Sequence, residues 1–256
     1  MKTLYKYELF YFLKTPRAMV LSVLAIFLSL LSVITARYIH HILEWALAAE
    51  GIENIDLSEG TIVDAYAQFF NNYQQIFFLV VLFIIVGMFT KEKAQNMYPY
   101  LLTHPVARSR IVLAKFTVAT HVIFASLVIG SIIFGFYALV IFEGFNVLPF
   151  SLAILVFMML IKFFMLLVGV IAHFNGSYIM SLTVGIVLYI LFGALSGFDQ
   201  GPLAWMPWRL YAFPMLIVQD QLTWSEAYGA LLSVIVLSIL LLFANVSLFN
   251  KQALHE

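Results

Sequence analysis

The sequence predicts an all-α integral membrane protein: six transmembrane helices, an N-terminal interfacial elbow helix, and short re-entrant helices before the last span. Three observations predict it. Of 256 residues, 64% are apolar and only 10% charged, with a mean hydropathy of +1.02, outside the range of soluble globular domains. Six apolar runs, at about 18–36, 73–90, 116–142, 150–172, 177–197 and 228–248, approach or exceed the ~20 residues that cross ~30 Å of hydrocarbon. Each run is read as a helix, which satisfies its backbone N–H and C=O groups within its own segment. The charges, finally, are sorted by side although the net charge is zero.

With the N-terminus in the cytosol, the inner segments hold ten of the thirteen basic residues: Lys2, Lys6, Lys14, Arg17, Lys91, Lys93, Arg108, Arg110, Lys115 and Lys251. The outer segments hold only Arg37 and Arg209, and Lys162 falls inside a span. Basic residues set orientation, so the split predicts both termini in the cytosol and a multi-pass protein of the plasma membrane. Ten of the thirteen acids lie outside, in agreement. The 256 residues are read as one permease-like membrane domain without a separate soluble one. The first apolar run is too long for a signal-peptide core and Ile34-Thr35-Ala36 lacks a small-x-small site, so it is expected to stay in the protein.

Residues 1–17 are basic and aromatic. Leu4, Tyr7, Phe10, Tyr11 and Leu13 suit a helix lying in the interface with lysines toward headgroups, ended by Pro16. The alternative is a charged flank that only sets orientation. In the acidic outer loop 37–72, the stretch His41 to Glu50 reads as a continuation of the first span, ended by Gly51. Ser58 or Thr61, followed three residues later by Thr61 or Asp64, offers an N-cap for a helix running into the second span. A merely solvated acidic loop is the competing reading.

Between the second and third spans lies 91–111, the longest basic segment. Asn96 suits an N-cap, Pro99 is tolerated in a first turn, and Pro105 ends helix near Thr103. About two turns remain, with Tyr98, Leu101 and Leu102 turned to the cytosol as a docking patch for a protein. A connector resting in the headgroups is the alternative.

Lys162 stands near the middle of the fourth run, about 15–18 Å from either end. A lysine there costs ~2.5–3.5 kcal/mol to insert, so it should meet polar groups or water rather than lipid. Two readings stay open: a lining of the translocation path, or a structural lysine held between helices. In the fifth run Gly193 and Gly197 are four apart, a spacing that lets helices approach, within the chain or in a dimer. In 198–227 the apolar stretch Leu203 to Val218 is interrupted by Pro207, Arg209 and Pro214 and carries Trp205, Trp208, Tyr211 and, beyond it, Trp224. This reads as one or two short interfacial or re-entrant helices; a seventh span would bury Arg209 and two prolines.

Chemistry is sparse. There is no cysteine, no Gly-x-x-x-x-Gly-Lys-Ser/Thr loop and no His-Glu-x-x-His. The six histidines are scattered, and the adjacent His40 and His41 suit a rim position better than a metal site. None of the six runs contains an acid, against an intramembrane enzyme or an ion- or proton-coupled carrier.

The 91–115 segment resembles the first cytosolic loop of type-2 ABC exporter permeases in their short six-span form. Glu92 matches the family's acid, Leu101-Leu102 its leucines, Pro105 its proline, and Arg108, Arg110 and Lys115 its basic run. Asn96-Met97 stands where the family commonly has Gly-Thr. Glu8 followed by Pro16-Arg17 is similar to the family's elbow. The resemblance implies a transport subunit without its own ATPase, dimerising with a second copy or a homologous permease. It implies separate ATP-binding subunits that use ATP and Mg. Glu92, Tyr98, Leu101, Leu102, Pro105 and Arg108 would carry ATPase coupling, with residues 97–103 as the coupling helix. Small size and the lack of a large external domain favour an amphipathic peptide or other lipophilic substrate. A carrier acting alone, or an immunity or structural membrane protein, is the alternative.

Overall fold

The computed structural model describes residues 2–49, 60–94 and 108–252, and every helix or strand it assigns among them is helical. Six helices are long and apolar enough to cross a membrane: Pro16–His41, Ile62–Thr90, Ser109–Ile141, Val147–Asn175, Tyr178–Leu195 and Ala227–Asn250. They match the six runs of the sequence, with helices extending beyond the apolar part. Hydropathy marks only the stretch that meets hydrocarbon, whereas the helix ladder continues through flanking polar residues. The third helix therefore begins at Arg108 and takes in Arg110 and Lys115, and the first, Pro16–Ala49, continues through His41. Gly51, Ser58 and the proposed helix at 97–103 lie outside the described residues.

The N-terminal helix Lys2–Lys14 is separated from the first span by a bend at Thr15. Pro16 has no N–H to extend the first ladder and opens the next helix instead. The Thr15 hydroxyl donates to the Phe12 carbonyl at 2.7 Å, satisfying a terminal acceptor. This short helix packs mainly on the third span, burying Phe12 and Glu8 while Tyr7, Phe10, Tyr11 and Leu13 stay exposed.

The second span starts with a capping box. Thr61 N–H donates to Asp64 Oδ2 at 2.8 Å, and Asp64 N–H reaches back to Thr61 Oγ1 at 3.4 Å. About three turns later the helix widens into a π segment, Tyr73–Phe77, before continuing as Phe78–Ala94. Tyr73 is fully buried and its hydroxyl donates to the Ala25 carbonyl at 2.7 Å, with Ser29 Oγ 2.9 Å away. Ser29 in turn donates to the Gly130 carbonyl at 2.8 Å. A side-chain carbon on Gly130 would stand 1.9 Å from the Tyr73 hydroxyl, so only glycine lets the first three spans meet there.

The fourth span is capped by Asn146, which accepts from Leu148 N–H at 3.2 Å, and ends at Gly176 in a left-handed conformation with φ 64°. Only Gly176 and Ser177 separate it from the fifth, which makes the two antiparallel neighbours. Between the fifth and sixth spans the chain forms two 3₁₀ turns, Gly201–Trp205 and Pro207–Tyr211, and a short helix, Phe213–Val218. The prolines fall in the first turn of each piece, where a missing N–H is tolerated, and they divide the stretch that a seventh span would have needed. Arg209 is buried nonetheless: its guanidinium donates to the Ser196 carbonyl at 2.8 Å and lies 5.6 Å from the centre of the Phe213 ring.

The second and fourth spans form the centre of the bundle, each two-thirds buried along its most apolar window. The first and third pack on one side of this pair, the fifth against both members, and the sixth against the fourth and third.

Candidate functional site

Residues 95–107, with Tyr98, Leu101, Leu102 and Pro105, lie outside the described residues. Glu92 belongs to the helix Phe78–Ala94, and Arg108 opens the helix Arg108–Ile141, so the two stand at the roots of the connection. What those roots rest on is well defined. Phe89, a little over one turn before Ala94, and Phe116, two turns after Arg108, meet with ring centres 4.8 Å apart. His173 near the end of the fourth span lies edge-on to Phe89 at 5.1 Å, and Phe249 of the sixth lies 5.8 Å from His173. All four rings are buried. One row of rings thus joins the third, second, fourth and sixth spans directly beneath the connection.

The packing around this row is close. A side-chain carbon on Gly169 would come within 2.7 Å of both Phe116 and Asn245 Oδ1. Asn245 is fully buried, and its amide donates to the Leu166 carbonyl at 2.9 Å and the Leu241 carbonyl at 2.8 Å. It thereby ties the sixth span to the fourth one level further in. Interhelical amide bonds of this kind hold membrane helices in register.

The N-terminal helix is fastened beside the same roots. Glu8 and Lys115, both buried, face each other at 4.0 Å, and Tyr5 Oη is 3.2 Å from His121 Nδ1. Lys115, read from the sequence as part of a basic run, is therefore enclosed between the N-terminal helix and the third span.

At the other end of the bundle a cleft of about 490 Å³ opens between the second and fifth spans. Gln75, Leu79, Tyr189, Ile190, Gly193 and Tyr211 are among its lining residues. The π segment supplies Gln75 to this lining, and its buried Gln74 ties the two tyrosines behind it: the Tyr189 hydroxyl donates to the Gln74 carbonyl at 2.8 Å, and the Gln74 amide donates to the Tyr211 carbonyl at 2.7 Å. Burial pushes the Tyr211 phenol above its ordinary pKa. Gly193 faces the Tyr211 ring, 3.3 Å from where a side-chain carbon would sit; around Gly197 nothing among the described residues comes within 4 Å of that position.

Lys162 is exposed and lines a separate notch of about 230 Å³ with Thr117, Thr120 and His121 of the third span and Leu242 of the sixth. The His40 and His41 rings lie 3.8 Å apart between centres, tilted by 43° and closer than their places on the helix suggest, and His41 lies 3.5 Å from Glu44.

Sequence reasoning missed Phe89, Phe116, His173, Phe249 and Asn245. The signal for them was weak: an aromatic in an apolar run looks the same whether it faces lipid or another helix.

No curated protein matches the chain. The family model for the ABC-2 family transporter protein matches residues 11–193, from the N-terminal helix through most of the fifth span. Together with six membrane-length helices among the described residues, this match shows that the chain belongs to the ABC-2 transporter family and is the permease, not the ATPase, of an ABC transporter, working with ATP-binding subunits.

Proposed function

We propose that this chain forms one half of the translocation path of an ATP-driven exporter of the plasma membrane, with both termini and residues 95–107 in the cytosol. ATP and Mg are used by the partner subunits, which press on the connection between the second and third spans. The observation that carries this reading is the row Phe116–Phe89–His173–Phe249. Close-packed rings transmit a displacement instead of absorbing it. A push on the loop roots is passed to four spans at once, and the Glu8–Lys115 contact passes it to the N-terminal helix.

The path itself is placed at the cleft between the second and fifth spans, where a second copy or a homologous permease supplies the facing wall. Its apolar lining, with Gln75 and the tyrosines as the few polar groups, suits an amphipathic peptide or another lipophilic compound better than a small ion. Lys162 lines a different cleft and is not part of the path in this reading.

The test uses the permease reconstituted with its ATP-binding subunits. Replacing Leu101 and Leu102 by Asp leaves insertion intact, because both lie in the connection, and abolishes transport-stimulated ATP hydrolysis. Wild-type stimulation in that double variant overturns the coupling assignment.

A further inference from the structure

We propose that the groove between the third and fourth spans holds one phospholipid of the cytosolic leaflet, its phosphate at Lys162 and His121 and an acyl chain running up between the helices. The lower end of the groove is the notch of about 230 Å³, and its polar groups converge from two spans. Lys162 brings three N–H donors and Thr120 a hydroxyl. Tyr5 Oη lies 3.2 Å from His121 Nδ1; in the tautomer in which Nδ1 accepts, the ring proton sits on Nε2 and adds another donor. No carboxylate lines the notch among the described residues. A cation with several donors and no acid selects an anion, and phosphate oxygens satisfy several donors together.

Depth narrows the choice further. The helix Lys2–Lys14 carries exposed Tyr7, Phe10, Tyr11 and Leu13 together with exposed Lys6 and Lys14, the composition of a helix lying at headgroup level. It touches the third span at Lys115 and His121, which sets His121 toward the cytosolic end of that span, next to a helix of headgroup composition. Lys162, deep by its position in the fourth span, is exposed and shares the notch with His121, and a lysine stem is long enough to carry its ammonium toward the headgroups.

Above the notch the same faces of the third and fourth spans line an apolar cleft. On the third span Phe124 follows His121 by about one turn, then Val128 and Gly135; on the fourth, Phe150 and Ile154 face them across a cleft of about 530 Å³. The two hydroxyls there are already engaged: Ser131 donates to the Leu127 carbonyl and Ser151 to the Val147 carbonyl, each at 2.8 Å. A lining without unmet polar groups, on the same two helix faces as an anion-selecting notch, fits an acyl chain attached to a phosphate. A soluble anion would leave the upper groove unused.

The experiment takes the full chain, purified and delipidated in detergent, and titrates it with phosphatidylglycerol while bound lipid is counted by native mass spectrometry. One lipid should bind saturably. Lys162→Met should weaken it about tenfold through loss of a charge-assisted bond, Lys162→Arg should retain it, and Ile154→Trp should block it by filling the chain groove. Melting temperatures without lipid identify any variant that fails to fold, and His121→Ala then repeats the headgroup test. Equal affinity in Lys162→Met and His121→Ala overturns the proposal. So does equal binding of diacylglycerol, which lacks the phosphate, or displacement of the lipid by inorganic phosphate, which points to a free-anion site. Lipid-independent dimerisation that Ile154→Trp abolishes overturns it too, by assigning the groove to a second copy.

Discussion

Phe89 and Phe116 meet at the roots of one connection, ring centres 4.8 Å apart, and so set the two helices that carry it on a close-packed base. The arrangement separates two properties that a loop on flexible helices would mix, namely docking of a partner and transmission of its movement. Phe89→Leu keeps an apolar side chain but loses the ring contacts to Phe116 and His173, worth about 0.5–1.5 kcal/mol each beyond area burial. The variant is expected to insert and to bind the ATP-binding subunits with unchanged affinity, while transport per ATP hydrolysed falls several-fold. Unchanged transport stoichiometry in proteoliposomes would remove the ring row from the coupling route.

Gly130 supports a different contact. A methyl group there collides with the Tyr73 hydroxyl and crowds the Ala25 carbonyl and Ser29 Oγ, both 3.0 Å away. Gly130→Ala should cost about 1–3 kcal/mol, the usual range for overpacking a close-packed interior. Tyr73→Phe removes the colliding atom, so the double variant should recover part of the loss, a positive coupling in a double-mutant cycle read from melting temperatures. Gly197→Ala, with open space around it, is the control and should be neutral. Strict additivity of Gly130→Ala and Tyr73→Phe would mean that the two residues do not meet.

The contrast between these glycines shows what the sequence could carry. Gly193 and Gly197 stood out by spacing, yet Gly193 approaches Tyr211 of its own chain and Gly197 approaches nothing described. Gly130 and Gly169, which do permit close approach, belong to no spaced pair, because the atoms they admit come from other spans. Span number and the Thr61–Asp64 cap were legible, since both depend on residues adjacent in the chain. The base of the site was not: Phe89, Phe116, His173 and Phe249 are far apart in sequence, and only packing brings them together. Lys162 is exposed and shares a notch with Thr120 and His121 of the third span, a neighbourhood that depth counted along one helix could not reveal.

Glu8 and Lys115 give a charge-based test of how the N-terminal helix is held. Both are buried, so a like-charge pair there has little water to relieve it. Glu8→Lys should lower the melting temperature and loosen the helix toward proteolysis near Thr15. Adding Lys115→Glu restores opposite charges in the reverse order and should recover much of the loss. If the exchange recovers nothing, other partners of these two residues dominate, and the pair is not what anchors the helix.

Orientation can be measured directly, because the chain has no cysteine and each introduced thiol is unique. In the proposed orientation, with ten basic residues assigned to one side against two on the other, residue 100 is expected in the cytosol and residue 55 outside. In intact cells, Ile55→Cys should react with a membrane-impermeant maleimide, and Tyr100→Cys should react only after the membrane is opened. The reverse pattern would put the loop roots, the ring row and the N-terminal helix on the outer side. ATP-binding subunits in the cytosol could not then reach residues 97–103. Because the coupling route, the path and the lipid site all take their side from this one assignment, the labelling result bears on every functional reading of the bundle. A mixed pattern, with both thiols reactive in intact cells, would mean that the basic split does not fix a single topology, and the coupling assignment would fall with it.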